Sequence, residues 1–260
     1  MSDRPKRMSG SKPTTSRRGR KTTPREGGYE HRMMTEKVRT ARGRKLSSKL
    51  WIERQINDPY VQRAVQEGYR SRAAFKLIEL DEKFNLIRPG MIIVDLGAAP
   101  GGWTQVALKK GALRVIGIDI LPVESVPGAE IIEMDFTDPD APERLQHMLS
   151  ASGATPKEGE RPLCDLVMSD LAANTTGHRN TDHLKTVALV EAAVDFALNV
   201  LKPGGHFVTK VFQGGAEKVL LARLRSEFKT VRHAKPKASR PKSPEMYLVA
   251  TGYKGHKGKG

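Results

Sequence analysis

Seven short apolar runs, rich in β-branched residues, constrain the fold of this chain more than any other feature of its sequence. Runs of this length and composition are typical of strands that are buried on both faces of a parallel sheet. Helical patterns fill several of the intervals, so we predict an α/β fold with a doubly wound, mostly parallel sheet whose last strand is antiparallel. The predicted strands are residues 91–97, 114–120, 129–136, 164–171, 206–213, a segment near 230, and 245–253.

Helices are predicted to precede the first strand. Residues 46–84 indicate two or three helical segments, because apolar residues recur there at helical spacing. The breaks fall near Asp58, which is followed by proline, and near Gly68. Ser71 is a candidate cap for the segment that ends near Phe84.

The clearest helix is predicted over residues 184–201, and a further one over residues 216–228. The first of these stops at a Lys-Pro-Gly-Gly sequence, residues 202–205, that a helix cannot continue through. Its apolar residues follow spacings of three and four: Leu184, Val187, Val190, Val194, Leu198 and Leu201.

Positive charge is concentrated at the two ends of the chain. The formal net charge is +16, and residues 1–45 hold 15 Lys or Arg against four Asp or Glu. That segment has almost nothing to bury, so we predict a disordered basic extension at 1–45, a domain at 46–253 and a basic tail at 254–260. Basic tails bind polyanions by releasing counterions, which indicates a nucleic-acid partner, although greater solubility is a competing interpretation.

Other classes of protein are disfavoured by what the sequence lacks. Cys164 is the single cysteine, which rules out an internal disulfide framework and fits a reducing compartment. The N-terminus has no apolar signal core and the chain has no run of eighteen apolar residues, so we expect a cytoplasmic protein that does not enter a membrane. The seven histidines follow no recognised ligand spacing, so no metal is expected.

A glycine-rich loop follows the first predicted strand, in the sequence DLGAAPGGW at residues 95–103. Glycines let the backbone approach a ligand closely at the start of the next helix. Their spacing is G-x-x-x-G-G, whereas dinucleotide-binding proteins show G-x-G-x-x-G. The loop therefore favours a ligand without a pyrophosphate, and an NAD-dependent dehydrogenase is a weaker alternative.

Acidic residues lie at the ends of the first three predicted strands: Asp95, Asp119 and Asp135. A carboxylate after the second strand is where such folds receive ribose hydroxyls, and Asp135 would lie near an adenine edge. Any one of these residues is equally expected to cap a helix or a turn. Three of them around one glycine loop would attract a cationic sulfonium and repel a pyrophosphate, which favours S-adenosylmethionine as the cofactor.

Five ordered motifs carry a resemblance to a known family: SRAAFKL, DLGAAPGGW, VMSDLAAN, VTKVFQG and SPEMYLVATG. Over residues 47–253 the chain resembles the FtsJ/RrmJ (RlmE) family of ribosomal RNA large-subunit (uridine-2′-O-)-methyltransferases. The resemblance implies a Rossmann-like class I S-adenosylmethionine-dependent methyltransferase fold. It also implies methyl transfer to a uridine ribose 2′-hydroxyl of 23S ribosomal RNA, by a monomer whose partner is the large ribosomal subunit or its RNA.

The same resemblance implies specific site residues. Lys210 is the implied proton acceptor. The implied catalytic set is Lys76, Asp170, Lys210 and Glu245. The implied cofactor contacts are Gly101, Trp103, Asp119, Asp135 and Asp170.

Lys210 can also be argued from its own strand. A charged side chain within an apolar buried strand is costly unless it is paired, so Lys210 requires a partner such as Asp170 or Glu245. Without the resemblance, Lys76 would be interpreted as a solvated helix lysine and Glu245 as a charged strand end. A lysine accepts a proton only as the neutral amine, which burial and a second ammonium favour and nearby carboxylates oppose, so the sequence leaves that balance open.

The chain departs from the family pattern at two places. Residues 171–174, Leu-Ala-Ala-Asn, replace a proline-containing SDMAPN-like segment, from which we expect a different loop stiffness and retained activity. A polar insertion at 152–161 is predicted to lengthen a surface loop away from the site. Two alternatives stay open: a methyltransferase of transfer RNA or messenger caps, and a noncatalytic RNA-binding protein of ribosome assembly.

Overall fold

The structure is a computed structural model that describes residues 46–150, 163–173, 179–212 and 217–255. All of them belong to one compact unit, Glu36–Gly260. The predicted basic extension, the polar insertion, Asn174 and residues 256–260 lie outside the described residues, so the expectations about them remain predictions.

In the described part of the chain three initial helices are followed by seven strands, and helices fill four of the six intervals between those strands. The sequence predicts both features. No helix in these ranges is long and apolar enough to cross a membrane. The helices are α1 (Leu46–Ile56), α2 (Pro59–Gln66), α3 (Ala74–Phe84), α4 (Gly102–Lys109), α5 (Ala141–Ser150), α6 (Arg179–Val200) and α7 (Glu217–Glu227). The strands are β1 (Ile92–Leu96), β2 (Arg114–Asp119), β3 (Ala129–Glu133), β4 (Cys164–Ser169), β5 (Leu201–Phe212), β6 (Phe228–Ala234) and β7 (Glu245–Tyr253).

The seven strands form one sheet in the order β3-β2-β1-β4-β5-β7-β6. The strands β1 to β5 pair in parallel, and β7 runs antiparallel to both β5 and β6. The predicted doubly wound fold with an antiparallel last strand is therefore confirmed. The strand order reverses at β1, which pairs with both β2 and β4, and ligands of such folds bind outside the carboxyl ends of the strands at that switch.

Helices cover both faces of the sheet. Alternate residues of a strand point to opposite faces and therefore pack against different helices. On β1, Val94 packs in one apolar cluster with residues of α5, α6 and α7, such as Val194. Its neighbour Ile93 packs in a second cluster with residues of α3 and α4, such as Leu80 and Val106. The sheet is thus buried between two helical layers. The edge formed by the carboxyl ends of the strands is where a ligand site is expected.

Two predictions about helix ends are wrong. Ser71 does not cap α3, since the N-cap is Ala73 without a side-chain hydrogen bond and the Ser71 hydroxyl is turned toward Gly102 at the start of α4. Leu184 and Leu201 do not belong to the buried stripe of the long helix. The helix begins earlier, at Arg179, the Leu184 side chain is 68% exposed, and Leu201 already belongs to β5.

Candidate active site

The sheet register brings three polar side chains together. Lys210 on β5 and Tyr247 on β7 are direct register partners, so their side chains project from the same face. Asp170 directly follows β4, whose last residue, Ser169, pairs with Thr209 on β5. Asp170 therefore lies level with Lys210 at the end of the sheet.

Asp170 connects the four residues predicted to be catalytic. The Lys210 Nζ donates to the Asp170 backbone oxygen at 2.6 Å and lies 3.2 Å from its Oδ1. The Lys76 Nζ pairs with Glu245 Oε1 at 3.0 Å and lies 4.0 Å from Asp170 Oδ2. All four are largely buried, with the Lys210 side chain only 8% exposed. The interpretation of Lys76 and Glu245 as solvated surface charges is therefore wrong.

Tyr247 is a member of this cluster that the sequence analysis missed. Its hydroxyl donates to Asp170 Oδ1 at 2.8 Å, and its buried ring lies 5.7 Å from the ring of Trp103. Burial, together with the negative charges of Asp170 and Glu245, raises the pKa of Tyr247 well above its usual value, so the hydroxyl remains a donor. Strand alternation was the available signal, because Tyr247 follows Glu245 by two positions and shares its face of β7.

An acidic cavity of about 580 Å³ opens at the carboxyl ends of β1, β2 and β4. Its volume lies within the range of small-molecule sites, roughly 300–1,000 Å³. Three predicted cofactor residues, Asp119, Asp135 and Asp170, line it together with Gly97 of the glycine loop. The further lining residues are Ala99, Ile120, Leu121, Phe136, Thr137, Leu171, Ala172, Ala173, Lys185, Ala188 and Leu189.

Asp119 and Asp135 also stabilise turns beside the cavity. Asp119 Oδ1 accepts from the Leu121 N–H at 2.9 Å, while its Oδ2 accepts from the Ala99 N–H at 2.8 Å and so links it to the glycine loop. Asp135 Oδ1 accepts from the N–H and the hydroxyl of Thr137, at 2.8 and 2.7 Å. The turn-capping interpretation is therefore correct for both residues. It coexists with their exposure to the cavity, because a carboxylate offers about four lone pairs and these turns use two of them in each residue.

Gly101 and Trp103, the two other predicted cofactor contacts, do not line this cavity. The Trp103 indole is buried and donates to the Ala73 carbonyl at 2.8 Å. Gly101 has a φ of 106°, and a Cβ added there would lie 2.8 Å from Arg70 Nη1. The assignment of these two residues as cofactor contacts therefore remains a prediction.

The Arg70 side chain connects two loops that contribute to the wall of the acidic cavity. This role was not predicted from the sequence. The Arg70 Nη1 donates to the carbonyls of Pro100 and Glu124 at 3.3 and 2.6 Å, and its Nη2 to that of Ser125 at 2.9 Å. Pro100 belongs to the loop after β1, and the other two belong to the loop after β2. One guanidinium therefore joins the glycine loop to the segment that follows Asp119.

Asp95 lies fully buried on β1 beneath the glycine loop. Its Oδ2 accepts from the Thr104 hydroxyl at 2.7 Å, while its Oδ1 makes no hydrogen bond among the described residues. Burial, and to a lesser extent the charges of Asp170 and Asp119, raises the pKa of Asp95 to about 7. Asp95 therefore titrates near neutrality, and it is not among the residues that line the cavity.

A basic cavity of about 450 Å³ lies on the other side of Lys76 and Glu245, both of which line it. Four further cations contribute to its wall: Arg54, Arg72, Arg240 and Lys242. Gln55, Ala73 and Ser243 complete the lining. The four-residue cluster thus lies between two cavities of opposite charge, with Asp170 on the acidic side and the Lys76–Glu245 pair on the basic side.

The chain is similar to known proteins of one family. Residues 69–253 match the model of the FtsJ-like methyltransferase family. The chain is 53% identical over 242 residues to a Maricaulis maris protein named ribosomal RNA large subunit methyltransferase E, covering 92% of this chain and 83% of that one. A protein of the same name from Paramagnetospirillum magneticum is 56% identical over 231 residues, covering 86% of this chain and 90% of that one.

A solved structure extends the likeness to three dimensions. The crystal structure of a Plasmodium falciparum protein described as a ribosomal RNA methyltransferase superposes with a TM-score of 0.61 at 29% sequence identity. The match covers 72% of this chain and all of that one. On its sequence and its fold, the chain belongs to the FtsJ-like methyltransferase family.

Proposed function

We propose that this protein transfers a methyl group from S-adenosylmethionine to the ribose 2′-hydroxyl of a uridine in 23S ribosomal RNA. The observation that carries the proposal is the position of Lys76, Asp170, Lys210 and Glu245 between an acidic and a basic cavity. Carboxylates suit a sulfonium cation, and arginines and lysines suit RNA phosphates. The names of the curated relatives support the large subunit as the substrate, which the protein would meet in the cytoplasm.

The acidic cavity fits S-adenosylmethionine in size and in charge. Asp119 would accept hydrogen bonds from the ribose hydroxyls of the cofactor, and Asp135 would lie near its adenine edge. When bound, the cofactor supplies a methyl group that is already activated by the positive sulfur. The protein therefore has to orient the attacking hydroxyl and take up its proton.

In this proposal Lys210 takes up that proton. A neutral lysine amine has two N–H donors and one lone pair. One donor would be used by the Asp170 backbone oxygen at 2.6 Å, and Asp170 Oδ1 lies 3.2 Å from the same nitrogen. The lone pair is then left for the ribose hydroxyl. Asp170 fixes the direction of the Lys210 amine, while Lys76 and Glu245 border the cavity in which the RNA strand would lie.

The test is methyl transfer from labelled S-adenosylmethionine to three purified substrates: unmethylated large ribosomal subunits, small subunits and transfer RNA. We expect label on large-subunit RNA alone, at one uridine whose 3′-phosphodiester resists alkaline cleavage because the 2′-oxygen is methylated. Label on transfer RNA instead would support the transfer RNA alternative. Cofactor binding without label on any of the three RNAs would contradict the proposed reaction and favour a noncatalytic RNA-binding protein.

A further inference from the structure

The Asp58 carboxylate contacts two arginines that line the basic cavity, Arg72 and Arg240. Asp58 Oδ2 lies 2.9 Å from Arg72 Nη1 and 3.7 Å from Arg240 Nη2, and the Asp58 side chain is 9% exposed. From this arrangement we infer that Arg240 is a phosphate-binding residue that holds the phosphodiester next to the target ribose. The inference rests on the proposed function, since it assigns one subsite of the RNA substrate.

The two arginines differ in how closely they pair with Asp58. Arg72 makes the close contact, so the Arg240 guanidinium is the one available to a ligand. The Arg72 guanidinium is 15% exposed, pairs closely with Asp58, and also donates to the carbonyl of Ala238. Arg240 is 40% exposed, and among the described residues its ion pairing is limited to the 3.7 Å contact. Because two guanidiniums share one carboxylate, one positive charge remains uncompensated, and a guanidinium fork matches phosphate oxygens well.

A short turn fixes Arg240 relative to the catalytic cluster. The Ser243 N–H donates to the Arg240 carbonyl at 2.9 Å, and the Glu245 N–H donates to the Ser243 hydroxyl at 3.3 Å. Glu245 in turn pairs with Lys76. A ribose that reaches Lys210 past Lys76 would therefore bring its adjoining phosphate to the same rim of the cavity, which Arg240 and Lys76 both line.

The loop that carries Arg240, residues 235–243, is held in place before any RNA binds. The Ala238 N–H, at the middle of the loop, donates to both carboxylate oxygens of Glu79 on α3 at 3.2 Å. The Lys235 Nζ closes the loop by donating to the carbonyls of Pro241 and Ser243, at 3.3 and 2.8 Å. A preorganised loop loses little conformational entropy on binding, which favours it as a fixed phosphate subsite.

The experiment compares Arg240→Gln with Arg223→Gln. Arg223 is a matched control because it is 42% exposed, pairs with the carboxylate of Asp195, and lies on α7, outside the residues that line the basic cavity. Binding of each protein to unmethylated large ribosomal subunits is measured over a range of salt concentrations. Methyl transfer to the same particles and affinity for S-adenosylmethionine are measured in parallel.

We expect Arg240→Gln to weaken binding to the particles about tenfold and to reduce the slope of log affinity against log salt by about 1, because one phosphate contact is lost. Its cofactor affinity and the binding of Arg223→Gln should match the wild type. If Arg240→Gln methylates the particles and its binding has the same salt dependence as that of the wild type, the phosphate-binding role of Arg240 is wrong, while the proposed reaction still stands. Absence of methyl transfer by the wild type would contradict the proposed function itself.

Discussion

Tyr247 donates a hydrogen bond to Asp170 Oδ1 over 2.8 Å, and the same oxygen lies 3.2 Å from Lys210 Nζ. The tyrosine belongs to an antiparallel strand and the aspartate to the end of a parallel one, so this bond joins the two parts of the mixed sheet at the site. It holds the Asp170 carboxylate toward Lys210. We therefore interpret Tyr247 as a positioning residue.

Removal of the Tyr247 hydroxyl should slow the reaction more than it destabilises the fold. Tyr247→Phe keeps the buried ring and its packing against Trp103 and removes one hydrogen bond to a charged group, worth about 1.5–3 kcal/mol. We expect kcat to fall about tenfold or more while the KM for S-adenosylmethionine stays close to that of the wild type. Steady-state kinetics and urea unfolding measure the two effects; an unchanged kcat would show that Asp170 does not need this bond.

Asp119→Asn should weaken cofactor binding. The substitution replaces one acceptor oxygen, which the Ala99 or Leu121 N–H now uses, by an amide donor, and removes a charge from the acidic cavity. We expect a loss of about 10- to 100-fold in affinity for S-adenosylmethionine, measured by calorimetry. Glu130→Gln is the control, because Glu130 pairs with Arg114 on the neighbouring strand and does not line the cavity. Equal affinities for the two variants would argue against Asp119 as a cofactor ligand.

Arg70→Lys should raise the KM for S-adenosylmethionine and leave kcat nearly unchanged. A lysine has no planar fork with which to reach the carbonyls of both loops at once, so the wall of the acidic cavity would loosen. We expect an increase of about five- to tenfold, comparable to the loss of one or two hydrogen bonds. Arg63→Lys provides the control, since Arg63, on α2, pairs with the C-cap residue of the same helix, Glu67, and does not line the acidic cavity. A fall in kcat at constant KM would instead place Arg70 in the catalytic step.

The buried carboxyl of Asp95 should make the protein less stable as the pH rises toward neutrality. Its pKa is about 7 in the folded chain and about 3.9 in an unfolded one, so the folded state binds the proton more tightly. The stabilisation by this proton is complete below pH 4 and is lost as the pH rises through 7. The difference between the two pKa values corresponds to about 4 kcal/mol of unfolding free energy.

Asp95→Asn tests this directly, because asparagine mimics the protonated carboxyl and can still accept from the Thr104 hydroxyl. Urea unfolding of both proteins between pH 5 and 8 gives the difference in stability, from which all other titrating groups cancel. We expect the free energy of unfolding of the variant, relative to that of the wild type, to increase as the pH rises to about 7 and to stay constant above that pH. A difference that does not change with pH would show that Asp95 is not protonated in the folded state.

The strands and the acidic strand ends could be predicted because their signals are local. A buried strand shows its composition over a few residues, and the aspartates at 119 and 135 lie at or just after the ends of such runs. The pairing of Lys210 with an acidic partner was also predictable, since an unpaired charge in an apolar strand is too costly. These predictions need no knowledge of which strands are neighbours.

The remaining contacts depend on distant parts of the chain. Tyr247 meets Asp170 across 77 positions and Arg70 meets Glu124 across 54, so both contacts follow from the strand order and the loop paths, which the local pattern does not contain. The prediction that Ser71 caps α3 is wrong for a related reason. Its hydroxyl lies against Gly102, a neighbour that only the packing of α4 against the segment before α3 provides.

If Lys210 accepts the proton of the ribose hydroxyl, its loss should slow the chemical step itself. The single-turnover rate of methyl transfer to unmethylated large ribosomal subunits by Lys210→Met measures that step. Lys202→Met is the matched control, because Lys202 lies on the same strand and pairs with Asp165 away from the site. We predict that Lys210→Met binds S-adenosylmethionine but transfers methyl groups about 10²- to 10⁴-fold more slowly, while Lys202→Met retains the wild-type rate. A wild-type single-turnover rate in a folded Lys210→Met protein would show that Lys210 is not the proton acceptor.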